Sequence, residues 1–145
     1  MKVEIWEGPV TDELVSAFER LTPYLSKSNP APSKAQLGEI VASPATDQFV
    51  AYADDGSIVG VATLAVFRIP TGLRAWIEDV IADPAASGKG IGTALTKAML
   101  EQAKSLGCVT VDLTSRPSRE AANHIYKKLG FELRDSNVWR YALRS

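Results

Sequence analysis

Apolar residues recur at helical spacing in several stretches of the chain and alternate, or run together, in others. In "TDELVSAFERL" (11–21), Leu14, Val15, Phe18 and Leu21 share one face, and Thr11 or Asp12 is placed to cap the first turn. "TPYLSKSNPAPSK" (22–34) carries three prolines and reads as a loop. "SKAQLGEIVAS" (33–43) predicts a second, weaker helix. A short strand is expected at "VEIW" (3–6). "QFVAYADDGSIVGVATLAVF" (48–67) has two β-rich runs joined by Asp-Asp-Gly, a hairpin pattern. "LRAWIEDVIA" (73–82) predicts a third long strand, whose alternation fails after Glu78-Asp79, as a bulge would make it do.

The second half continues in the same way. Ile91, Leu95, Ala98, Met99, Gln102 and Leu106 recur at helical spacing between about Gly90 and Leu106, with Gly107 as the stop. "CVTVDLTS" (108–115) predicts a strand, and "SREAANHIYKKLG" (118–130) a helix capped by Ser118 and stopped by Gly130. "FELRD" (131–135) and "NVWRYAL" (137–143) are expected to close the chain as strands around a turn at Ser136-Asn137. Hairpins and helix-separated strands together predict one α/β domain over 1–145, a mixed sheet covered by helices.

Composition narrows the picture. The 145 residues are 46% hydrophobic and 23% charged, ordinary for a globular chain with a sizeable core. The net charge of −1 gives no bulk field toward nucleic acid or an anionic membrane, so neither is expected as a partner. Cys108 is the single cysteine, which excludes an intrachain disulfide. "MKVEIWEG" has no apolar core of signal-peptide type, and "IVGVATLAVF" is too short to span a bilayer. A cytoplasmic protein is expected. No His/Cys cluster suggests a metal.

One stretch carries the candidate chemistry. "PAASGKGIGTAL" (84–95) places Gly88, Gly90 and Gly92 between a strand and a helix. A helix N-terminus presents unpaired N–H groups and a positive dipole end, and residues without side chains let a phosphate approach them. The plain alternative is a strand-to-helix turn that needs positive φ. The pattern is not a Walker A loop, because Lys89 precedes the central glycine. It also lacks the last glycine of a dinucleotide fingerprint, although Asp112 lies about where a ribose-binding acid would be.

"VIADPAASGKGIGTAL" resembles motif A of the GNAT superfamily of N-acetyltransferases, Arg/Gln-x-x-Gly-x-Gly/Ala between a strand and a helix. "AANHIYKKLGFE" is similar to motif B of the same family. The resemblance implies the GNAT fold: a mixed, largely antiparallel sheet with helices on both faces. It further implies that acetyl-CoA is the co-substrate, its pyrophosphate held by backbone amides of the stretch Ser87, Gly88, Lys89, Gly90, Ile91, Gly92 and Thr93. Gly90 and Gly92 match the motif's two small positions. Ser87 stands where the family usually carries Arg or Gln, and Lys89 is a candidate for the missing charge. On the preceding strand, Val80, Ile81 and Ala82 are implied as backbone contacts to the pantetheine arm, with a bulge N–H polarising the acetyl carbonyl. In motif B, Asn123 and Tyr126 are implied to face the same arm, Tyr126 with its hydroxyl near the sulfur.

The implied reaction is acetyl transfer to a primary amine of a small molecule or peptide, by direct attack in a ternary complex. An amine must lose its proton before it attacks a thioester, so Glu78 or Asp79 is a candidate base. The "IED" trio they sit in resembles the same strand of glucosamine-6-phosphate N-acetyltransferases. Either acid could instead hold the substrate ammonium, or pair with Arg74 or Arg68. Strand alternation puts the two on opposite faces. Arg116 and Arg119 could hold a substrate anion or CoA phosphates, or be solvated or paired with Asp112 or Glu120. His124 and Cys108 read as packing or surface residues. The competing class is a non-catalytic acyl-CoA-binding sensor or interaction module, and a homodimer is compatible with either.

Overall fold

The computed structural model describes residues 1–144. They divide into two compact units, Met1–Thr114 and the segment from Ser115 onward. The first unit is built on a five-stranded sheet in the order β1-β2-β3-β4-β5, with β1 at Lys2–Ile5, β2 at Thr46–Tyr52, β3 at Ile58–Ile69, β4 at Gly72–Ala82 and β5 at Thr110–Asp112. The first four strands pair antiparallel, and β5 joins β4 in parallel. A parallel neighbour needs a crossover, and helix α3, Ile91–Ser105, provides it. Helices α1, Asp12–Leu25, and α2, Lys34–Ala42, connect β1 to β2.

The helices lie on both faces of the sheet. Val50, Ile58, Val61 and Ile81 form one apolar cluster with Leu14, Phe18 and Leu21 of α1 and Leu37 of α2. Gly60 precedes Val61 and so faces the other way; a Cβ there would lie 2.5 Å from Ile91 Cγ2 and 3.1 Å from Leu95 Cδ1. That close approach seats α3 on the opposite face. Ile91, Leu95, Met99 and Ala103 form its buried stripe at four-residue spacing. Leu106, expected on that stripe, is 45% exposed at the C-cap.

Local chemistry explains most boundaries. Thr11 caps α1 through Leu14 N–H, and Ser33 and Gln36 form a capping box on α2. The helix α1 runs four residues beyond its expected end, through Pro23. Pro23 removes only the bond to the Glu19 carbonyl, and both residues are exposed, so water can take that bond while Leu21 and Thr22 stay buried. The 108–115 strand is shorter than expected, and only Thr110–Asp112 pair with β4.

The second unit contains α4, Glu120–Lys128. The helix ends as the glycine predicts: Gly130 has φ +100°, its N–H reaches the Lys127 carbonyl, and Phe131 N–H reaches the Tyr126 carbonyl at 2.9 Å. The expected strands at 131–135 and 137–143 do not form. No strand is assigned within residues 131–144.

Candidate active site

In the first unit the candidate residues lie on one continuous piece of chain, the end of β4, the loop after it and the first turn of α3. Thr63 of β3 pairs with Glu78, and Val61 pairs with Ile81. One residue, Ala62, therefore stands opposite two, Asp79 and Val80. This is the expected bulge, and Asp79 carries its left-handed residue at φ 51°, the only positive φ outside glycine among the described residues. Asp and Asn tolerate that conformation better than β-branched or bulky side chains. A bulge leaves its extra residue out of the ladder, so backbone polar groups of β4 are available at this point.

The register also places the two acids. Cross-strand partners share a face, so Glu78 stands on the face of Thr63 and Val61, that of α1 and α2, while Asp79 opposes Ala62 on the α3 face. Both acids are exposed. Neither forms an ion pair among the described residues: Arg74 donates instead to Thr110 Oγ1 and Thr71 Oγ1, each at 2.9 Å. The row continues across the sheet from Glu78 to Thr63, whose hydroxyl donates to Gln48 Oε1 at 2.8 Å. Gln48 is 1% exposed, and its amide donates to the carbonyls of Phe49 and Ala62.

The loop is anchored by residues that pattern reading did not single out for the site. Asp83 accepts the Ala85 N–H at 2.9 Å through Oδ1, capping the short 3-10 turn Pro84–Ala86. Its Oδ2 accepts from Arg20 Nη1 at 2.7 Å, and Arg20 Nη2 donates to the Ile58 carbonyl at 2.8 Å. Asp83 N–H donates to Val59 O at 2.8 Å, so the chain leaves β4 on a fixed path. An Asp before a Pro is a turn signal, but its long-range partner on α1 has no sequence signature.

Beyond Ala86 the chain is open. Ser87, Gly88, Lys89 and Gly90 are exposed. Gly88 and Gly90 have φ +82° and +72°, and a Cβ on either would meet no protein atom within 4 Å. Backbone conformation thus accounts for glycine at these two positions, and the space beside them is free for a ligand. Gly90 is the N-cap of α3 and makes no side-chain cap bond, so the N–H groups of Ile91, Gly92 and Thr93 begin the helix uncapped. Ile91 is buried, and its side chain serves the core. Lys89 is not a wholly uncommitted charge. Asp54 is held below the ordinary carboxylate range by its contact with the N-terminal ammonium, and Asp55 by hydrogen bonds from Ser57; Lys89 adds a smaller pull on both.

The remaining candidates belong to the second unit. Asn123 Nδ2 donates to the Arg116 carbonyl at 2.9 Å, which ties α4 to the loop before it. The Tyr126 ring meets Phe131 edge-on, with centroids 5.6 Å apart; this is the apolar contact that accompanies the glycine stop of α4. Burial pushes the Tyr126 hydroxyl above its ordinary pKa, against a smaller opposite effect of Arg119. Arg116 and Arg119 form no ion pair with Glu120 among the described residues. Those residues also contain no group of three or more His, Cys, Asp or Glu placed to hold a metal, and no helix long and apolar enough to cross a membrane.

This architecture is widely shared. A solved structure from Agrobacterium tumefaciens str. C58 superposes with a TM-score of 0.84 at 22% identity, covering 98% of this chain and all of that one. The crystal structure of an acetyltransferase from Trypanosoma brucei superposes at 0.75 with 28% identity, over 97% of this chain and all of the other. The sequence model of the Acetyltransferase (GNAT) family matches residues 12–131. The chain belongs to that family. Within it, the glucosamine 6-phosphate N-acetyltransferase of Trypanosoma brucei brucei is 40% identical over 86 residues, which are 57% of this chain and 56% of that protein. The matched stretch thus spans about half the length of that curated relative.

Proposed function

We propose that this chain transfers the acetyl group of acetyl-CoA to a primary amine. The observation that carries the reading is the conjunction of a backbone bulge at Asp79-Val80 with an uncapped helix start ten residues on, at Gly90. The two are joined by a loop fixed at Asp83 and open from Ser87. The first can donate to a thioester oxygen, and the second can hold phosphate. In this reading the amides of Gly88 to Thr93 hold the pyrophosphate, and Val80, Ile81 and Ala82 guide the pantetheine arm.

Chemistry assigns the rest. The neutral amine attacks the acetyl carbon, the nitrogen of the tetrahedral adduct gives its extra proton to water, the carbon–sulfur bond breaks, and CoA leaves as a thiol once it gains a proton. Glu78 accepts the proton of the incoming ammonium, directly or through water. Asp79 ranks second for that role by sequence; its left-handed backbone gives the residue a conformational reason to be there, and the base role falls to Glu78. Tyr126 is the donor to the departing sulfur. The name of the Trypanosoma brucei brucei relative makes glucosamine 6-phosphate the first acceptor to try.

The test is release of CoA thiol from acetyl-CoA, followed with and without a panel of amines that includes glucosamine 6-phosphate, other amino sugars, amino acids and a peptide N-terminus. Acetylation of a panel member is the expected result. Tight CoA binding without turnover on any amine would favour the non-catalytic binding module. A thermal shift with NAD and none with CoA would remove the acyl-CoA reading altogether.

A further inference from the structure

Gln48, Thr63 and Glu78 form one row across β2, β3 and β4: Gln48 pairs with Thr63, and Thr63 pairs with Glu78. Cross-strand partners share a face, with Cβ atoms about 4.5–5.5 Å apart. Gln48 is 1% exposed, and a polar side chain so deeply buried needs partners within the protein. Its amide nitrogen donates to the Phe49 carbonyl at 3.2 Å and to the Ala62 carbonyl at 3.1 Å. Carbonyls can only accept, so they fix which end of the amide is nitrogen. Gln48 Oε1 is thereby turned to Thr63 Oγ1, 2.8 Å away. An amide oxygen also only accepts, so the Thr63 hydroxyl is the donor and its single hydrogen is committed. Toward any other neighbour Thr63 offers lone pairs alone. A buried glutamine thus sets the polarity of a half-buried hydroxyl that lies next to an exposed carboxylate.

We propose that Thr63 Oγ1 and the Glu78 carboxylate together bind the acceptor as a primary ammonium, with Gln48 as the positioning residue behind Thr63. The inference rests on the reading of Glu78 as the base and names what that site recognises. Two neighbouring groups that only accept call for a partner with at least two hydrogens on one atom. An ammonium has three, and N–H···O bonds of about 2.8 Å let one nitrogen bridge the two side chains. A hydroxyl acceptor has one hydrogen and serves one side chain only, so the pair selects amines over alcohols. When Glu78 takes a proton from the nitrogen, the N–H held by Thr63 stays. That remaining bond orients the lone pair of the neutral amine.

Two measurements test it. In the first, the Thr63 methyl and Glu78 carboxyl resonances are followed while methylammonium chloride is added, with tetramethylammonium chloride, which has no N–H, as the control at equal ionic strength. Wild type should show saturable shifts of both resonances with methylammonium only. In Thr63→Val the Glu78 shift should need at least about 10-fold more methylammonium, the effect of losing one hydrogen bond to a charged group. That variant leaves Gln48 Oε1 unpaired and should melt lower; Thr63→Ser keeps the oxygen and should recover most of the affinity. This titration needs no turnover, so it decides the proposal even if no amine is acetylated, an outcome that would remove the catalytic reading alone. In the second, with the panel amine acetylated fastest, Thr63→Val should lower kcat/KM for the amine at least about 10-fold and leave KM for acetyl-CoA within about twofold. Gln48→Met frees the Thr63 hydrogen to donate to Glu78 and should lower the same quantity. Added to Thr63→Val it should bring no further loss, because Gln48 acts through that hydroxyl, whereas a purely structural glutamine would give additive losses. Equal or absent shifts with the two salts, a Glu78 titration unchanged in Thr63→Val, or additive losses in the double variant would overturn the proposal.

Discussion

Arg20 of α1 and Asp83, 63 residues later, meet at 2.7 Å, and the same guanidinium holds the Ile58 carbonyl. The pair fixes the point where the chain turns from β4 toward α3. Arg20 is 46% exposed and Asp83 16%, so solvent weakens the ion pair itself, and the geometry of the two hydrogen bonds matters more. Arg20→Ala should cost about 1–2 kcal/mol in urea denaturation. Because the loop it anchors is the proposed phosphate site, the Michaelis constant for acetyl-CoA should rise while turnover changes little. A destabilised variant with an unchanged Michaelis constant would mean that the loop keeps its path without this anchor.

The glycines separate conformation from access. Gly90 sits at φ +72° with open space around it, so Gly90→Ala strains the backbone by about 1–2 kcal/mol and confounds binding with stability. Gly92 lies in the first turn of α3, where valine is tolerated at least as well as glycine. Gly92→Val should therefore leave the melting temperature near wild type and sharply reduce acetyl-CoA affinity in calorimetry. Equal affinity would place the phosphates elsewhere.

The two acids of β4 divide by backbone. Asp79→Asn and Asp79→Gly both suit a left-handed bulge residue and should fold and turn over near wild type, whereas Asp79→Val should lose about 1–2 kcal/mol of stability. Glu78→Gln should retain stability and lower turnover by about 10²-fold or more, the usual range for a general base. Full activity of Glu78→Gln together with a large loss in Asp79→Asn would exchange the two roles.

What the sequence made legible follows from the range of the interactions involved. The hairpin, the bulge after Glu78-Asp79, the helix starts at Thr11 and Ser33 and the stops at Gly107 and Gly130 depend on neighbours within a few residues, and each was readable. Pro23 misled because its effect depends on which carbonyl it deprives, and Glu19 faces water. The Arg20–Asp83 and Thr63–Gln48 contacts were invisible, since nothing local marks a partner tens of residues away. Residues 137–143 alternate as a strand would, yet no strand is assigned there. For the site, spacing located the strand, loop and helix start, but only the φ angles showed that Gly88 and Gly90 have a conformational reason to be glycine.

Tyr126 joins a structural role to a proposed chemical one, and phenylalanine separates them. The ring packs edge-on against Phe131 at the glycine stop of α4, and Tyr126→Phe preserves that contact, so helix content and melting temperature at neutral pH should not change. The hydroxyl is pushed above its ordinary pKa of 10.0 by burial. It therefore stays protonated through neutral and mildly alkaline pH, as a donor must, but it is also a weaker acid than a free tyrosine. Transfer to a departing thiolate, whose conjugate thiol titrates near about 8.5, is thus uphill, and the gain should lie toward the low end of general acid catalysis. Turnover of Tyr126→Phe should fall at least ~10-fold, with acetyl-CoA affinity nearly unchanged. The linkage has a definite sign. A raised folded pKa stabilises the protein fully below the unfolded value of about 10, and that contribution is lost as pH climbs through the folded value. Wild type should lose this increment in alkaline denaturation and the phenylalanine variant should not, while Tyr52, also raised by burial, keeps its own share in both. Wild-type turnover by Tyr126→Phe would leave the residue its packing role and remove it from the chemistry.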